Sequence, residues 1–388
     1  MLAIINADLW TVACGRIEGG TLLCEDGKIV DIGTDVDVPE GVQCIDAAGR
    51  RVTPGIIEAH SHAGINEQGV GREGRDGNES THPITPQVRA VDAINPRDDA
   101  LREFLAGGIT STLVTPGSGN LIGGVAAVIK CKGTVVDDML VIDEAGMKAA
   151  LGQNPKGAYG RRQNRAPATR MGNAAMMREA FDQAQEYMQK KKKAEEDDDS
   201  EPKYNTKHEA LIPVLKGEMP LRVHCHRADD IVTAVRICEE YDLEYTLEHV
   251  TEANHVVDFL AEQQSRCAVG PTMKYGSKVE NRERDFRTPV ELARADVPFC
   301  FITDHPVVAG QFITLTAGIA VSGGMDYDTA LRAVTLGAAE HVGCADRLGS
   351  LECGKDADLV IRSGDPLDYT TFADYTIIDG EIAYEREV

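Results

Sequence analysis

Between residues 53 and 349, short apolar runs alternate with stretches of helical periodicity. Eight such runs stand out, at 56–60, 110–115, 139–142, 147–151, 221–225, 245–249, 267–270 and 299–303. This alternation constrains the fold strongly, because parallel strands cannot be joined by hairpins and need a crossover, usually a helix. Eight parallel strands close a (β/α)8 TIM-type barrel. An open doubly wound sheet has the same local pattern, so alternation alone leaves both architectures open.

The two ends read differently. Leu22 to Glu25 and Lys28 to Ile32 flank Asp26-Gly27, and Tyr375 to Ile378 and Glu381 to Tyr384 flank Asp379-Gly380. Each is a two-residue hairpin signal. The expected organisation is an α/β chain with a barrel over residues 53–349 and a small β-sandwich domain built from residues 1–52 plus 350–388. Within the barrel region a long helix starts near Thr169. Ala174, Met177, Phe181, Ala184 and Met188 form an apolar stripe along it. It runs into Lys190 to Lys193 and then the acidic run Glu195 to Asp199, which reads as a solvated end. Gly117-Ser118-Gly119-Asn120 with Gly123-Gly124 resembles a phosphate cradle but misses the G-x-G-x-x-G spacing by one residue, and no P-loop Lys-Ser/Thr follows. It reads as a loop at the barrel mouth.

Chemistry concentrates where the apolar runs end. In Pro54-Gly55-Ile56-Ile57-Glu58-Ala59-His60-Ser61-His62, the two histidines are two residues apart and so share a strand face. Two imidazoles on one face can chelate a divalent cation. Val223-His224-Cys225-His226, Leu247-Glu248-His249 and Phe301-Ile302-Thr303-Asp304 end three further runs. Strand C-termini of a barrel converge on its active site, so four strand ends carrying His or Asp predict one metal centre there. A hydrogen-bonded core histidine is the alternative for any one of them, most seriously for His226.

Composition excludes several function classes. Lys and Arg total 40 against 63 Asp and Glu, a formal charge of −23, which repels phosphate backbones and anionic membranes. No apolar stretch approaches the ~18 residues of a membrane span. The N-terminus lacks the basic and apolar regions of a signal peptide. The 10 cysteines form no C-x-x-C pair, as expected of reduced thiols in a cytoplasmic protein. The expected partner is a small-molecule substrate, with no nucleic acid and no membrane, and a homo-oligomer is expected.

The H-x-H strand, the later strand-end histidines and the final strand-end Asp resemble the amidohydrolase superfamily. Gly349-Ser350-Leu351 and Gly354-Lys355-Asp356-Ala357-Asp358-Leu359-Val360-Ile361 resemble that superfamily's return from barrel to small domain. Within it the chain is most similar to the imidazolonepropionase and prolidase-like branch. Arg227-Ala228-Asp229-Asp230 and Thr303-Asp304-His305-Pro306 mark a particular subgroup. The resemblance implies His60, His62, His224, His249 and Asp304 as ligands of one or two divalent cations, with zinc expected, and Asp304 as the proton shuttle. His226 and His305 would lie nearby, on substrate or behind the ligands. A bridging ligand is implied in members with two ions. Lys148, carboxylated by carbon dioxide, is the candidate, and an unmodified Lys148 outside the site is the alternative. Gln153 is uncharged and a poor bridge.

The implied chemistry is hydrolysis of a C–N bond in a small amide, cyclic amide or dipeptide-like compound, by water whose pKa a cation lowers to about 7. Asp304 would handle the proton. A deaminase and a non-catalytic scaffold are the competing readings. Glu58 and Glu248 lie near ligands in sequence. Glu58 shares a face with His60 one step deeper, while Glu248, next to His249, is expected on the opposite face. Asn66, Asn120, Arg170, Arg227, Lys274 and His305 are candidate substrate contacts, with Arg170 or Arg227 suited to a carboxylate. The segment 152–170 is long enough for a lid.

Overall fold

The computed structural model describes residues 1–197 and 200–387, so Asp198, Asp199 and Val388 lie outside the described residues. Strands follow in chain order as β1 (Leu2–Trp10), β2 (Arg16–Glu25), β3 (Lys28–Gly33), β4 (Gln43–Asp46), β5 (Arg51–Pro54), β6 (Ile56–Ser61), β7 (Ile109–Val114) and β8 (Ile122–Lys130). They continue as β9 (Leu140–Ala150), β10 (Leu221–Cys225), β11 (Tyr245–His249), β12 (Cys267–Val269), β13 (Phe299–Phe301), β14 (Leu359–Arg362), β15 (Ala373–Ile378) and β16 (Glu381–Glu385).

The two ends of the chain meet in one sheet, ordered β16-β15-β14-β5-β1-β2-β3, with β4 paired to β1. Both hairpins form at the Asp-Gly signals, with Glu25 opposite Lys28 and Ile378 opposite Glu381. The joint between the ends is the antiparallel pair β5–β14, in which Pro54 faces Leu359 and Arg51 faces Arg362. Ile4, Leu9, Leu22, Ile29, Val52, Leu359 and Ile377 bury their side chains in this sheet's own core.

The remaining strands form a second sheet of eight, in the order β13-β12-β11-β10-β9-β8-β7-β6. A parallel bridge between Ser61 and His305 brings its ends together, so the barrel is nearly closed. It is mixed rather than all-parallel. β8 runs antiparallel to both β7 and β9, and the other pairs are parallel. The runs expected at 139–142 and 147–151 are one strand, β9, and the eighth stave is β8. The physical reasons are local. The start of β8 carries Gly123-Gly124, which reads as a continuation of the preceding loop. β9 looks interrupted because Asp143 and Glu144 are exposed and Gly146 adopts φ +146°. A side chain at Gly146 would collide with Arg222, since a Cβ there would lie 2.6 Å from Nε.

The long helix spans Arg170–Asp197. Thr169 Oγ1 accepts from the Gly172 amide at its start. Met177, Phe181 and Ala184 pack on Met147, Val223 and other residues of β9 to β11. Inside the barrel, Ile57, Leu113, Val128 and Ile302 form an apolar floor closed from below by Ala338, Ala339 and Val342. These last three belong to the helix Leu336–Val342. Buried apolar side chains of this kind each stabilise the fold by roughly 1.5–3 kcal/mol. The floor fills the lower barrel and leaves polar side chains to gather at the strand C-termini above it. Among the described residues no helix is long and apolar enough to cross a membrane.

Candidate metal centre

Five imidazoles and one carboxylate meet above that floor. The ligand atoms of His60, His62 and Asp304 lie within 4.8 Å of one another, and so do those of His224, His226 and His249. The two sets are contiguous. The His60 and His249 ring centroids are 4.7 Å apart, and those of His224 and His249 are 4.3 Å apart.

Strand alternation delivers His60, His62, His224 and His226 as expected, but not His249. Leu247 packs in the outer core, so regular alternation would send His249 outward with it and Glu248 inward. His249 instead takes φ +79°, a conformation uncommon for a residue with a side chain. That turn at the strand end carries its ring into the barrel, where Nδ1 lies 2.9 Å from the Gly270 carbonyl. Gly270 itself is at φ +148°, and a Cβ there would sit 2.0 Å from the Ile302 carbonyl oxygen. Asp304 likewise occupies φ +55°. Backbone strain of this kind persists where surrounding structure holds it.

Four of the five rings are anchored from behind, His249 among them by Gly270. Nδ1 of His60 lies 2.8 Å from Glu248 Oε2, Nδ1 of His62 lies 2.6 Å from the Thr115 carbonyl, and Nδ1 of His226 lies 2.7 Å from Thr251 Oγ1. A proton on Nδ1 satisfies the carboxylate and carbonyl acceptors and leaves the Nε2 lone pair facing the centre. His224 differs: its Nδ1 is buried without a partner, and its Nε2 is 3.4 Å from Asn154 Nδ2. Burial disfavours the charged form of His60, His224, His226 and His249. It pulls His60 down to about 4 and His249 to about 3, and holds His224 and His226 well below their ordinary value. Neutral imidazoles are the form that ligates a cation. For Asp304, burial pushes the carboxyl up, whereas positive charge at the centre, such as protonated His249, His62 and His60 or a cation in their place would supply, pulls it well below the usual range.

The donor set fits a cation. Nε2 of His62 is 3.2 Å from Asp304 Oδ1 and Nε2 of His60 is 3.8 Å from it. With both rings protonated on Nδ1, these contacts set lone pair against carboxylate with no proton between. Buried acceptors facing one another are costly unless something positive joins them. The Lys148 ammonium is one positive group present. It is fully buried, and its Nζ lies 3.0 Å from His60 Nε2. Burial lowers its pKa to about 8.

The residues behind the rings hold the barrel together. Glu248 is expected on the opposite face from His249, but because His249 turns at the strand end both point inward, and there Glu248 serves His60. It also accepts from Thr246 Oγ1 at 2.8 Å and lies 3.0 Å from His341 Nε2 and 3.6 Å from Arg222 Nη1. Arg222 in turn donates to the carbonyls of Ala145, His341 and Val342, fastening the basal helix to the strands. Sequence reading missed Arg222 and His341, because a buried Arg in an apolar run and a His in a helix carry no local signal. Glu58 accepts from the His60 amide and from the amide and hydroxyl of Thr303, tying β6 to the residue before Asp304. Burial pushes its carboxyl up to about 8.

The sequence profile of the amidohydrolase family matches residues 51–383. The chain belongs to the amidohydrolase family. A solved amidohydrolase from Thermotoga maritima MSB8 is 38% identical, covers 100% of both chains and superposes with a TM-score of 0.96. The amidohydrolase tasK of Hapsidospora irregularis is 29% identical over 95% of this chain, and the match spans 40% of that longer relative. An imidazolonepropionase of Acidiphilium cryptum is 32% identical over 29% of this chain and 34% of its own length.

In this amidohydrolase a cavity of about 600 Å³ opens above the centre, lined at its base by His62, His224, His226 and Asp304. Its walls include Asn66, Lys274 and Gly117-Ser118-Gly119, together with Gln153, Asn154, Arg161 and Arg162 from the segment expected to act as a lid. Four expected substrate contacts do not line it. Asn120 is buried and its amide donates to the carbonyls of Glu79 and His82 and to Thr85 Oγ1, so it pins a loop. Arg170 is paired with Asp230 at 3.0 Å, and Arg227 with Asp229 at 2.8 Å. His305 packs its ring edge-on against Phe104, 5.0 Å between centroids, and its Nδ1 accepts from the Gly310 amide. These assignments rested on position after a strand, and neighbouring acids or rings had already taken the side chains.

Proposed function

We propose that this chain is a metal-dependent hydrolase that cleaves a C–N bond in a small amide, cyclic amide or dipeptide-like substrate. The observation that carries the reading is the convergence of five buried imidazoles on the Asp304 carboxylate, in two contiguous groups of three ligand-bearing side chains. His60, His62 and Asp304 would hold one cation and His224, His226 and His249 a second, with zinc the expected metal. Lys148 stands beside His60 where its carboxylated form would reach both groups. A divalent cation held there supplies Lewis acidity, polarising a carbonyl and making water a nucleophile near neutral pH.

Asp304 is the residue placed to move the proton. It would take one from the attacking water and return it to the leaving nitrogen. Glu248, Thr115 and Gly270 keep His60, His62 and His249 in the tautomer that this arrangement needs. The acids that follow β10, Asp229 and Asp230, are engaged with Arg227 and Arg170 outside the cavity, which favours hydrolysis over deamination.

Metal analysis of the purified protein, joined to a turnover screen of N-acyl amino acids, dipeptides and cyclic ureides, tests the reading. One or two bound cations and new amine plus carboxylate products are expected, with turnover lost and metal content reduced in Asp304→Asn. Ammonia released from a heterocycle without ring opening would establish the deaminase instead. A protein that takes up no divalent cation would refute both.

A further inference from the structure

The chain is strongly acidic, with 63 acids against 40 bases, yet its candidate active-site cavity is not. Arg161, Arg162, Lys274 and Lys278 line it, against a single acid, Asp304, which belongs to the metal centre. The first two come from the segment after β9 and the other two from the loop after β12, so the cations approach from two separate parts of the chain. Three of the four are unspent: among the described residues no carboxylate lies within ion-pair distance of Arg161, Arg162 or Lys274. Surface cations elsewhere are mostly paired, as Arg178 is with Glu240 and Arg287 with Asp285. Lys278 is held in place by Asn154 Oδ1 at 2.6 Å, with Glu280 at 3.6 Å. Burial and the nearby Lys278 together pull the Lys274 pKa down, a cost that an anionic occupant would relieve.

We propose that Arg161, Arg162, Lys274 and Lys278 form an anion subsite at the mouth of this cavity, which takes a carboxylate carried by the substrate away from its scissile bond. This deepens the hydrolase reading and rests on it for the word substrate. Guanidinium pairs suit planar oxyanions through paired N–H donors. A local cationic wall in a protein of opposite net charge also focuses anions that the rest of the surface repels. A phosphate is disfavoured by the glycine loop beside the cations. The Gly117 amide donates to the Gly77 carbonyl at 2.6 Å and the Gly119 amide to Asn78 Oδ1 at 2.7 Å, so these amides are not free to cradle one. The subsite is also distinct from the residues that sequence position suggested, because Arg170 and Arg227 are neutralised by their own acids.

The test uses N-acetyl amino acids and their primary amides as matched probes on the metal-loaded enzyme, with turnover and calorimetric binding read separately. Acids should exceed the matching amides at least tenfold in kcat/KM. Replacing Arg161, Arg162 and Lys274 together by Ala should raise KM for the acid tenfold or more while leaving KM for the amide within twofold. Acids that bind, lose binding in the triple variant and are never hydrolysed would keep the subsite and remove the hydrolase reading. Hydrolysis or binding that does not distinguish acid from amide, equal losses for both probes in the variant, or no binding of either probe would overturn the subsite and leave the hydrolase reading standing on its metal analysis. Competition by inorganic phosphate stronger than that of the acids would overturn the assignment to a carboxylate.

Discussion

Replacing Glu248 by Gln removes one charge and changes almost no volume, and the structure makes its consequences calculable. The carboxylate is fully buried. One oxygen serves His60 Nδ1 at 2.8 Å, and the other serves Thr246 Oγ1 at 2.8 Å and His341 Nε2 at 3.0 Å. An amide has a single oxygen. If its NH2 faces His60, the ring must move its proton to Nε2 and loses the lone pair that points into the centre. If the NH2 faces His341, that ring must place its proton on Nδ1, which is buried and has no acceptor. Either way the anchor is degraded, and losing such a partner behind a ligand typically costs 10–100-fold in metal affinity, about 1.4 to 2.8 kcal/mol. Arg222, whose one carboxylate partner among the described residues is Glu248 at 3.6 Å, is left as an uncompensated buried charge. Breaking such a pair costs on the order of 3–5 kcal/mol of stability. Zinc competition against a chromogenic chelator gives the affinity, and urea unfolding gives the stability. A Glu248→Gln protein that binds zinc within twofold of wild type and unfolds at the same urea concentration would refute the reasoning on both counts.

Further expectations follow from the same geometry. Gly146→Ala should destabilise the barrel by about 2 kcal/mol or more, because a Cβ there meets Arg222 at 2.6 Å and the backbone is at φ +146°, and urea unfolding checks it. Asp358 is buried beside Lys130, and burial raises its pKa to about 6 from 3.8. Protonation therefore favours the folded state, and its stability contribution grows as pH falls from 7 through 6 towards 3.8, by about 3 kcal/mol at most. The melting temperature of wild type relative to Asp358→Asn should accordingly rise between pH 7 and pH 5, and a flat difference contradicts this. Arg227→Ala should leave turnover within twofold, since its side chain is committed to Asp229 outside the cavity. Dialysis against dipicolinate should abolish hydrolysis and readdition of zinc should restore it, measured alongside metal content.

The ring of strand-end histidines and Asp304 was legible because strand periodicity is local: His60 and His62 share a face whatever surrounds them, and apolar runs ending in His or Asp recur at four places. The two hairpins at the ends were legible for the same reason, since Asp-Gly sets its own turn. The antiparallel course of β8 was not, because Gly123-Gly124 at its start reads as part of the preceding loop. Neither was the inward turn of His249, which depends on a left-handed backbone held by Gly270. The substrate contacts went astray at Arg170, Arg227, Asn120 and His305 because a polar side chain after a strand is free only if no other segment claims it.

The amino-acid sequence by itself determined which residue types end which strands, and hence that imidazoles and a carboxylate would be available at one rim of the molecule. Only the tertiary structure decided which of them face one another, which cations remain unpaired and which acids stand behind the rings. Those choices rest on contacts between segments far apart in the chain, such as Lys130 with Asp358 and His60 with Glu248, which are 228 and 188 residues apart. Electrostatic and hydrogen-bond partnership at that range is set by packing and leaves no mark in local periodicity.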